Sequence, residues 1–181
     1  ELEPNNADVF RNLGRAWRLQ GRLPEAIENY RHAIQRKPDF AEAHFNLAIV
    51  HLLLGQFREA WQEYTWSWRR AGSPVRPGPA PTWDGSELGG RTVFLYAEQG
   101  LGDELFFLRF AAQLRQRGAG RIVYRASPKI ALLLMRVPLL DRIAGPEDVP
   151  TTGDCVLSVG DLPQRLNHAR ADQTPAPLAL T

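Results

Sequence analysis

The chain is poor in the residues that build cross-linked or metal-bound proteins. It has one cysteine, Cys155, among 181 residues, which excludes an internal disulfide framework and a cysteine zinc site. Because Val156 and Leu157 follow it, we expect an inert thiol in the core. No apolar run approaches the roughly 20 residues of a membrane span, and no signal-peptide pattern opens the chain. These absences predict a soluble, cytoplasmic protein without a membrane span.

The chain also lacks an excess of charge of either sign. Its 22 Lys and Arg nearly balance 20 Asp and Glu, and the formal net charge is +2. Nucleic-acid binding needs a clustered basic stripe, so no nucleic-acid partner is expected. No GK[ST] phosphate loop, GxSxG elbow or HExxH metal motif occurs. His44 and His51 share one predicted helix, where such a pair is more typical of groove lining than of a metal site, so we expect no metal.

An internal repeat organises the first half of the chain. Shifting the sequence by 34 residues superimposes matching residues: Ala7 on Ala41, Asn12 on Asn46, Leu13 on Leu47, Leu19 on Leu53, Gly21 on Gly55, Glu25 on Glu59, Ala26 on Ala60 and Tyr30 on Tyr64. This pattern resembles the tetratricopeptide repeat (TPR), whose period is 34 residues. It predicts helices at about 7–20, 24–37, 41–54 and 58–70, which form two units at 7–40 and 41–74.

The repeat residues also predict how the helices pack. Gly14, Ala26 and Ala33 are small enough for two helices to approach closely, and Leu13, Trp17 and Tyr30 are large enough to fill the space between them. Gly21 and Gly55 lie where each hairpin turns, a position that suits glycine. These features assign residues 1–70 to a TPR domain that binds a protein or peptide through its concave face.

Asn12 and Asn46 occupy equivalent positions in the two repeats. They resemble the asparagine ladder that binds peptide backbone in the TPR superhelix of protein O-GlcNAc transferases. An amide both donates and accepts hydrogen bonds, so it holds an extended chain without reading its side chains. The alternative is a buried amide that satisfies local backbone groups.

Residues 71–90 are rich in proline and glycine and predict a linker. After it, strand and helix patterns alternate: strands at 92–97, 121–126, 141–145 and 154–160, and helices at 103–118 and 127–137, the second with Ser127 as its N-cap. This order predicts a parallel sheet with right-handed crossovers over residues 91–181. The whole chain is therefore predicted as an α+α/β protein.

The segment "AEQGLGDEL" at 97–105 follows the first predicted strand. Ligands in parallel sheets bind beyond the carboxyl ends of the strands, so its position predicts a function. A dinucleotide site is disfavoured, because Leu105 stands at the third glycine position and the second strand ends Tyr124, Arg125, Ala126 without an acid. The alternative to a catalytic pair is helix capping, with Asp103 as N-cap and Glu104 in the first turn.

The segments "EQGLGDELFFLRF", "WDGSELGGRT" and "GDLPQRL" resemble the amino-terminal half of bacterial glycosyltransferases of the heptosyltransferase type (family nine), over most of residues 83–166. The resemblance implies a two-Rossmann GT-B fold, with nucleotide-sugar held mainly by the carboxyl-terminal half. It implies Asp103 as the base, with inversion and no obligatory metal or cofactor. It also implies substrate binding around Gln99, Gly100, Gly102 and Glu104.

Three hypotheses remain open at this point. The first is a fragment of a TPR-containing glycosyltransferase, in which nucleotide-sugar and acceptor bind only the full-length parent and this chain alone is inactive. The second is a non-catalytic TPR interaction module that keeps a degenerate transferase domain as its cap. A nucleotide-binding Rossmann enzyme is a distant third. We also expect self-association into a homo-oligomer, through an unpaired sheet edge or the open end of the repeats.

Overall fold

The computed structural model describes residues 6–73, 76–97 and 100–180. The chain divides into two compact units: the residues up to Ser73 together with Ala169–Asp172, and the remainder. The first unit consists of helical hairpins, and the second is built on a parallel sheet. The predicted α+α/β fold class is confirmed.

Four helices form the first unit: α1 (Ala7–Leu19), α2 (Leu23–Arg36), α3 (Ala41–Leu53) and α4 (Phe57–Tyr64). The first three follow the predicted bounds closely. The fourth ends at Tyr64 instead of continuing to 70, and a 3-10 turn follows at Ser67–Arg69. The reason is local: Thr65 and two tryptophans are poor helix formers, and the Thr65 hydroxyl donates to the Gln62 carbonyl.

Glycine has two different roles in these hairpins. Gly21 and Gly55 end α1 and α3 with φ of 75° and 70°, where an added Cβ would meet no atom within 4 Å. They are required by backbone conformation. Gly14 is required by space, since a Cβ there would lie 2.7 Å from the ring of Tyr30.

The repeat core is built from the small and large residues that the pattern indicated. Ala26, Tyr30, Leu47 and Val50 form one buried cluster, and Trp17 packs against it. The prediction for Leu13 is wrong: its side chain is 44% exposed. The ring of Tyr30 fills the space beside Gly14.

His44 is held by acceptors on both sides of its ring. Its Nδ1 lies 2.5 Å from Glu63 Oε2, and its Nε2 lies 2.9 Å from the Pro38 carbonyl oxygen. Trp66 stacks on the ring at 4.1 Å. Burial lowers the pKa of His44, but the hydrogen bonds to Glu63 and Pro38 outweigh it, so the net pKa is raised above 6.5. Only the imidazolium offers a donor to both acceptors.

The second unit contains a four-stranded sheet. Its strands are β1 (Thr92–Tyr96), β2 (Arg121–Arg125), β3 (Arg142–Ile143) and β4 (Cys155–Ser158). The order is β3-β2-β1-β4 and every pairing is parallel, as predicted. Cys155 is buried in β4, and burial raises the pKa of its thiol.

The helices beside the sheet are shorter than predicted. The helix predicted at 103–118 begins earlier, as α5 (Leu101–Leu108), and continues through a 3-10 turn into α6 (Ala112–Gln116). The helix predicted at 127–137 is a single turn, α7 (Ala131–Leu134). The N-cap of α7 is Ile130 and not Ser127, because Ile130, with φ of -122°, interrupts the helical conformation after the turn that Ser127 begins. A short helix, α8 (Leu162–Arg165), follows β4.

The proline- and glycine-rich segment was predicted as a linker. Its second half packs on the sheet. Trp83 and Leu88 are 1% and 0% exposed. The Val156 N–H donates to the Pro81 carbonyl at 2.9 Å, and the Trp83 N–H donates to the Val156 carbonyl. This covers the outer edge of β4, while the opposite edge, β3, has two residues. Little sheet edge remains for pairing with another copy.

The geometry of His44 predicts a pH-dependent stability. Because the pKa of His44 is raised in the folded state, protonation of its ring stabilises the fold. This contribution is fully present below the unfolded-state pKa of about 6.5 and is lost as the pH rises through the folded-state pKa. We expect the difference in free energy of unfolding between wild type and His44→Gln to be about 1–2 kcal/mol at pH 6 and to shrink towards pH 9. Urea unfolding at several pH values measures it. The control is His32→Gln on α2, and a difference independent of pH would contradict the assignment.

Candidate functional site

The strand order reverses at β1, and in open parallel sheets such a reversal predicts a ligand-binding crevice at the carboxyl ends of the strands. The chain builds β2 and β3 on one side of β1 and then returns to place β4 on the other. Ligands of open parallel sheets bind at such a reversal of strand order. At this edge β1 is followed by α5, and β4 is followed by the 3-10 turn Val159–Asp161. This turn packs against α5.

Asp103 lies in the first turn of α5 with its side chain exposed. The N-cap is Gly100, in extended conformation, so the capping alternative that made Asp103 the N-cap is wrong. The Asp103 carboxylate instead folds back over Gly100, where an added Cβ would lie 2.8 Å from Oδ2. A carboxylate there is favoured by the helix dipole and is open to a ligand from solvent.

Gly102 has no structural need for glycine. Its φ lies outside the left-handed region, and an added Cβ would meet no atom of the described residues within 4 Å. Glycine lowers helix stability relative to alanine, so the residue costs stability without relieving a clash. The bare surface over Gly102 leaves room for a ligand to approach the backbone.

Glu104 points the other way and is 0% exposed. Its Oε1 accepts from the Tyr124 hydroxyl at 2.7 Å and from the Ser127 N–H at 2.9 Å. The buried carboxylate does not face solvent beside Asp103. Gln99, the remaining predicted substrate-binding residue, lies outside the described residues.

The loop after β4 contains none of the predicted site residues. The Ser158 hydroxyl accepts from the Gly160 N–H at 3.3 Å, which starts the turn that packs on α5. In the sequence, this loop is marked only by the segment "GDLPQRL", which follows a short apolar strand. The strand order that brings this loop beside α5 is set by tertiary packing.

A second groove lies between α5, α7 and the segment that ends at 180. It is about 410 Å³ and apolar, with Leu105, Phe106, Leu134 and Leu178 among its lining. The guanidinium of Arg109 donates to the carbonyls of Pro175 and Ala176, which holds the segment across α5. Nothing in the sequence pattern predicted this contact.

The repeat unit leaves the two predicted peptide-binding amides accessible. Asn12 on α1 is exposed and Asn46 on α3 is half-buried, so the pair is not enclosed in the helix interface. His51 lines a groove between α2, α3 and α4, as expected, whereas His44 is bonded to Glu63 and Pro38. Within the described ranges, no cluster of His, Cys, Asp and Glu is suited to a metal ion.

Comparison with known proteins identifies the repeats. The TPR repeat family model matches residues 14–55. The helical segment is a TPR segment. The match begins in the middle of α1 and runs past the end of α3, and the predicted repeat type is confirmed there.

Curated relatives match parts of the chain. The peroxisomal targeting signal receptor of Saccharomyces cerevisiae is 37% identical over 59 residues, which cover 33% of this chain and 10% of that protein. Protein FlbA of Caulobacter vibrioides is 30% identical over 112 residues, which cover 59% of this chain and 19% of that protein. The chain thus spans a fifth or less of the length of these relatives.

Among solved structures, an O-GlcNAc transferase mutant from Thermobaculum terrenum is similar. It is 24% identical, and the match covers 80% of this chain and 29% of that one with a TM-score of 0.38. Separately, none of the helices in the described part of the chain combines the length and apolarity of a membrane span.

The open space over Gly102 predicts a stabilising substitution. Gly102→Ala should raise the free energy of unfolding by up to about 1 kcal/mol, because alanine favours the helix and its methyl group meets no atom. The control is Gly14→Ala, where the methyl group would strike Tyr30 and cost about 1–3 kcal/mol. Urea unfolding of the 181-residue chain compares them. A destabilised Gly102→Ala would mean that the fold itself requires this glycine.

Proposed function

We propose that this chain joins a peptide-binding TPR segment to the amino-terminal half of a GT-B glycosyltransferase domain of the heptosyltransferase type. In the complete gene product, that domain transfers a sugar from a nucleotide-sugar donor, and Asp103 is the base. The observation that carries the proposal is an exposed carboxylate at the carboxyl end of the central strand, beside the unobstructed Gly102. Sheet order puts both at the place where ligands of this architecture bind.

The chemistry needs a base that reaches an acceptor hydroxyl. The Asp103 carboxylate takes the hydroxyl proton while the oxygen attacks the anomeric carbon, and the nucleoside diphosphate departs from the opposite face. Attack from one face and departure from the other inverts the anomeric centre. Gly100 and Gly102 let the acceptor approach the first turn of α5, and Gln99 completes the substrate contacts. The donor diphosphate is held by the carboxyl-terminal half that the resemblance implies.

The TPR segment supplies the second part of the proposal. Asn12 and Asn46 are solvent-accessible amides at equivalent repeat positions, which suits backbone recognition of an extended peptide. One relative of the segment is named as a receptor for a targeting signal. The same observations support the runner-up function, a non-catalytic TPR interaction module whose α/β unit serves as a cap.

The test is turnover by the complete gene product with a panel of ADP- and UDP-sugars, measured as release of ADP or UDP. Asp103→Asn should lower the rate by about 10²–10⁴-fold, as expected for loss of a general base. Its free energy of unfolding should change by no more than about 1 kcal/mol, the usual size of a helix-dipole contribution.

The matched control is Glu147→Gln, an exposed carboxylate in the loop after β3, two strands away from the crevice. This variant should retain wild-type turnover. Normal turnover in Asp103→Asn would limit Asp103 to helix stabilisation. No release from any sugar nucleotide by the wild type would favour the interaction module.

A further inference from the structure

Glu104 is the most deeply buried acid among the described residues of the second unit, and the proposed reaction does not use it directly. We propose that Glu104 is a positioning residue that ties α5 to the loop after β2 and thereby fixes the direction in which Asp103 points. The catalytic consequence rests on the proposed function, whereas the tie itself is a property of this chain.

One oxygen of Glu104 makes both contacts. Oε1 accepts from the hydroxyl of Tyr124, a fully buried residue of β2, and from the backbone N–H of Ser127, just beyond the end of that strand. A single carboxylate therefore connects the helix after β1 with the strand and loop next to it.

The stability of the fold alone does not account for a carboxylate here. Glu104 is 0% exposed, and its Oε2 has no hydrogen-bond partner among the described residues. A buried hydrogen-bond acceptor that has no donor destabilises the folded state, and a leucine of similar size would avoid that cost. The residue is better explained by what Oε1 holds in place.

The tie reaches Asp103 through the backbone. The Glu104 N–H donates to the Gly100 carbonyl at 2.8 Å and closes the first turn of α5, which includes Asp103. That turn cannot rotate without breaking both bonds of Oε1. On the other side, the Ser127 carbonyl accepts from Ile130 and Ala131 at 3.1 Å, so the entry to α7 depends on the same anchor. Two neighbouring loops at the carboxyl edge are thus held as one body.

The test is amide hydrogen exchange of the 181-residue chain, resolved by residue with NMR. Glu104→Leu removes both contacts, Tyr124→Phe removes one hydroxyl donor, and Glu104→Gln keeps an oxygen at the position of Oε1. Leu108→Ala is the control, because Leu108 is equally buried on the same helix but makes neither contact. The amides followed are those of residue 104, Ser127, Ile130 and Ala131, with Phe94 and Val123 as references.

In Glu104→Leu, exchange at the four amides should accelerate about tenfold or more relative to the references, since both hydrogen bonds to Oε1 are lost. Tyr124→Phe should show the same pattern more weakly, and it carries the test if Glu104→Leu does not fold. Glu104→Gln should stay close to wild type. Leu108→Ala should accelerate the four amides and the references together. Uniform acceleration in Glu104→Leu, or none, would overturn the tie.

The catalytic arm uses the complete gene product. Glu104→Leu should lower kcat with KM nearly unchanged, and Glu104→Gln should restore most of it. If Asp103→Asn turns over normally, the proposed function fails while the exchange result still decides the tie. If exchange shows decoupled loops but kcat does not fall, the loops are tied without consequence for Asp103, and the positioning role is overturned.

Discussion

The structure of the second unit depends on the pairing of β1 along both of its edges. Tyr96 at the end of β1 lies level with Arg125 of β2 on one side and Ser158 of β4 on the other. Because three parallel strands end at the same height, the segments that follow them start side by side. The candidate site is a consequence of this register: α5, the Ser127 turn and the Val159–Asp161 turn meet where β1 is flanked on both sides.

Two adjacent acids at that edge have opposite environments because of helix geometry. Successive residues of an α-helix point about 100° apart, so α5 turns Asp103 to solvent and Glu104 into the protein. One carboxylate is then available for chemistry, and the other for holding the loops together. A phosphate-binding loop would carry neither charge. The exposed carboxylate of Asp103 supports the proposal of a site that takes up a proton.

Local patterns in the sequence predicted much of this architecture. The 34-residue period set the bounds of α1–α3, because Gly21 and Gly55 end helices through backbone conformation alone. Short apolar runs located all four strands, and alternation with helices predicted their parallel pairing. The segment after β1 was predicted to be functional from its position and its two glycines, and this stays a prediction.

The features that sequence reasoning missed are set by tertiary contacts. The reversal that brings β4 beside β1 leaves no local periodicity. The Pro81–Trp83 backbone covers an edge of β4 through bonds to Val156, which a proline-rich composition does not reveal. The burial of Glu104 depends on Tyr124, 20 residues away on another strand. The early end of α4, just before Thr65, is set by the low helix propensity of the residues there. The 34-residue repeat did not predict it, because the repeat gives the position of a whole helix and not the propensity of single residues.

The central claim is that sugar transfer takes place at the carboxyl edge of β1, on the side where Asp103 is exposed. A crystal structure of the complete gene product, with the nucleotide-sugar that it turns over fastest, tests this most directly. We expect the anomeric carbon to lie in the crevice between the ends of β1 and β4, with the Asp103 carboxylate facing the acceptor side. A sugar bound at another part of the sheet, with Asp103 still folded over Gly100 and remote from it, would contradict the claim.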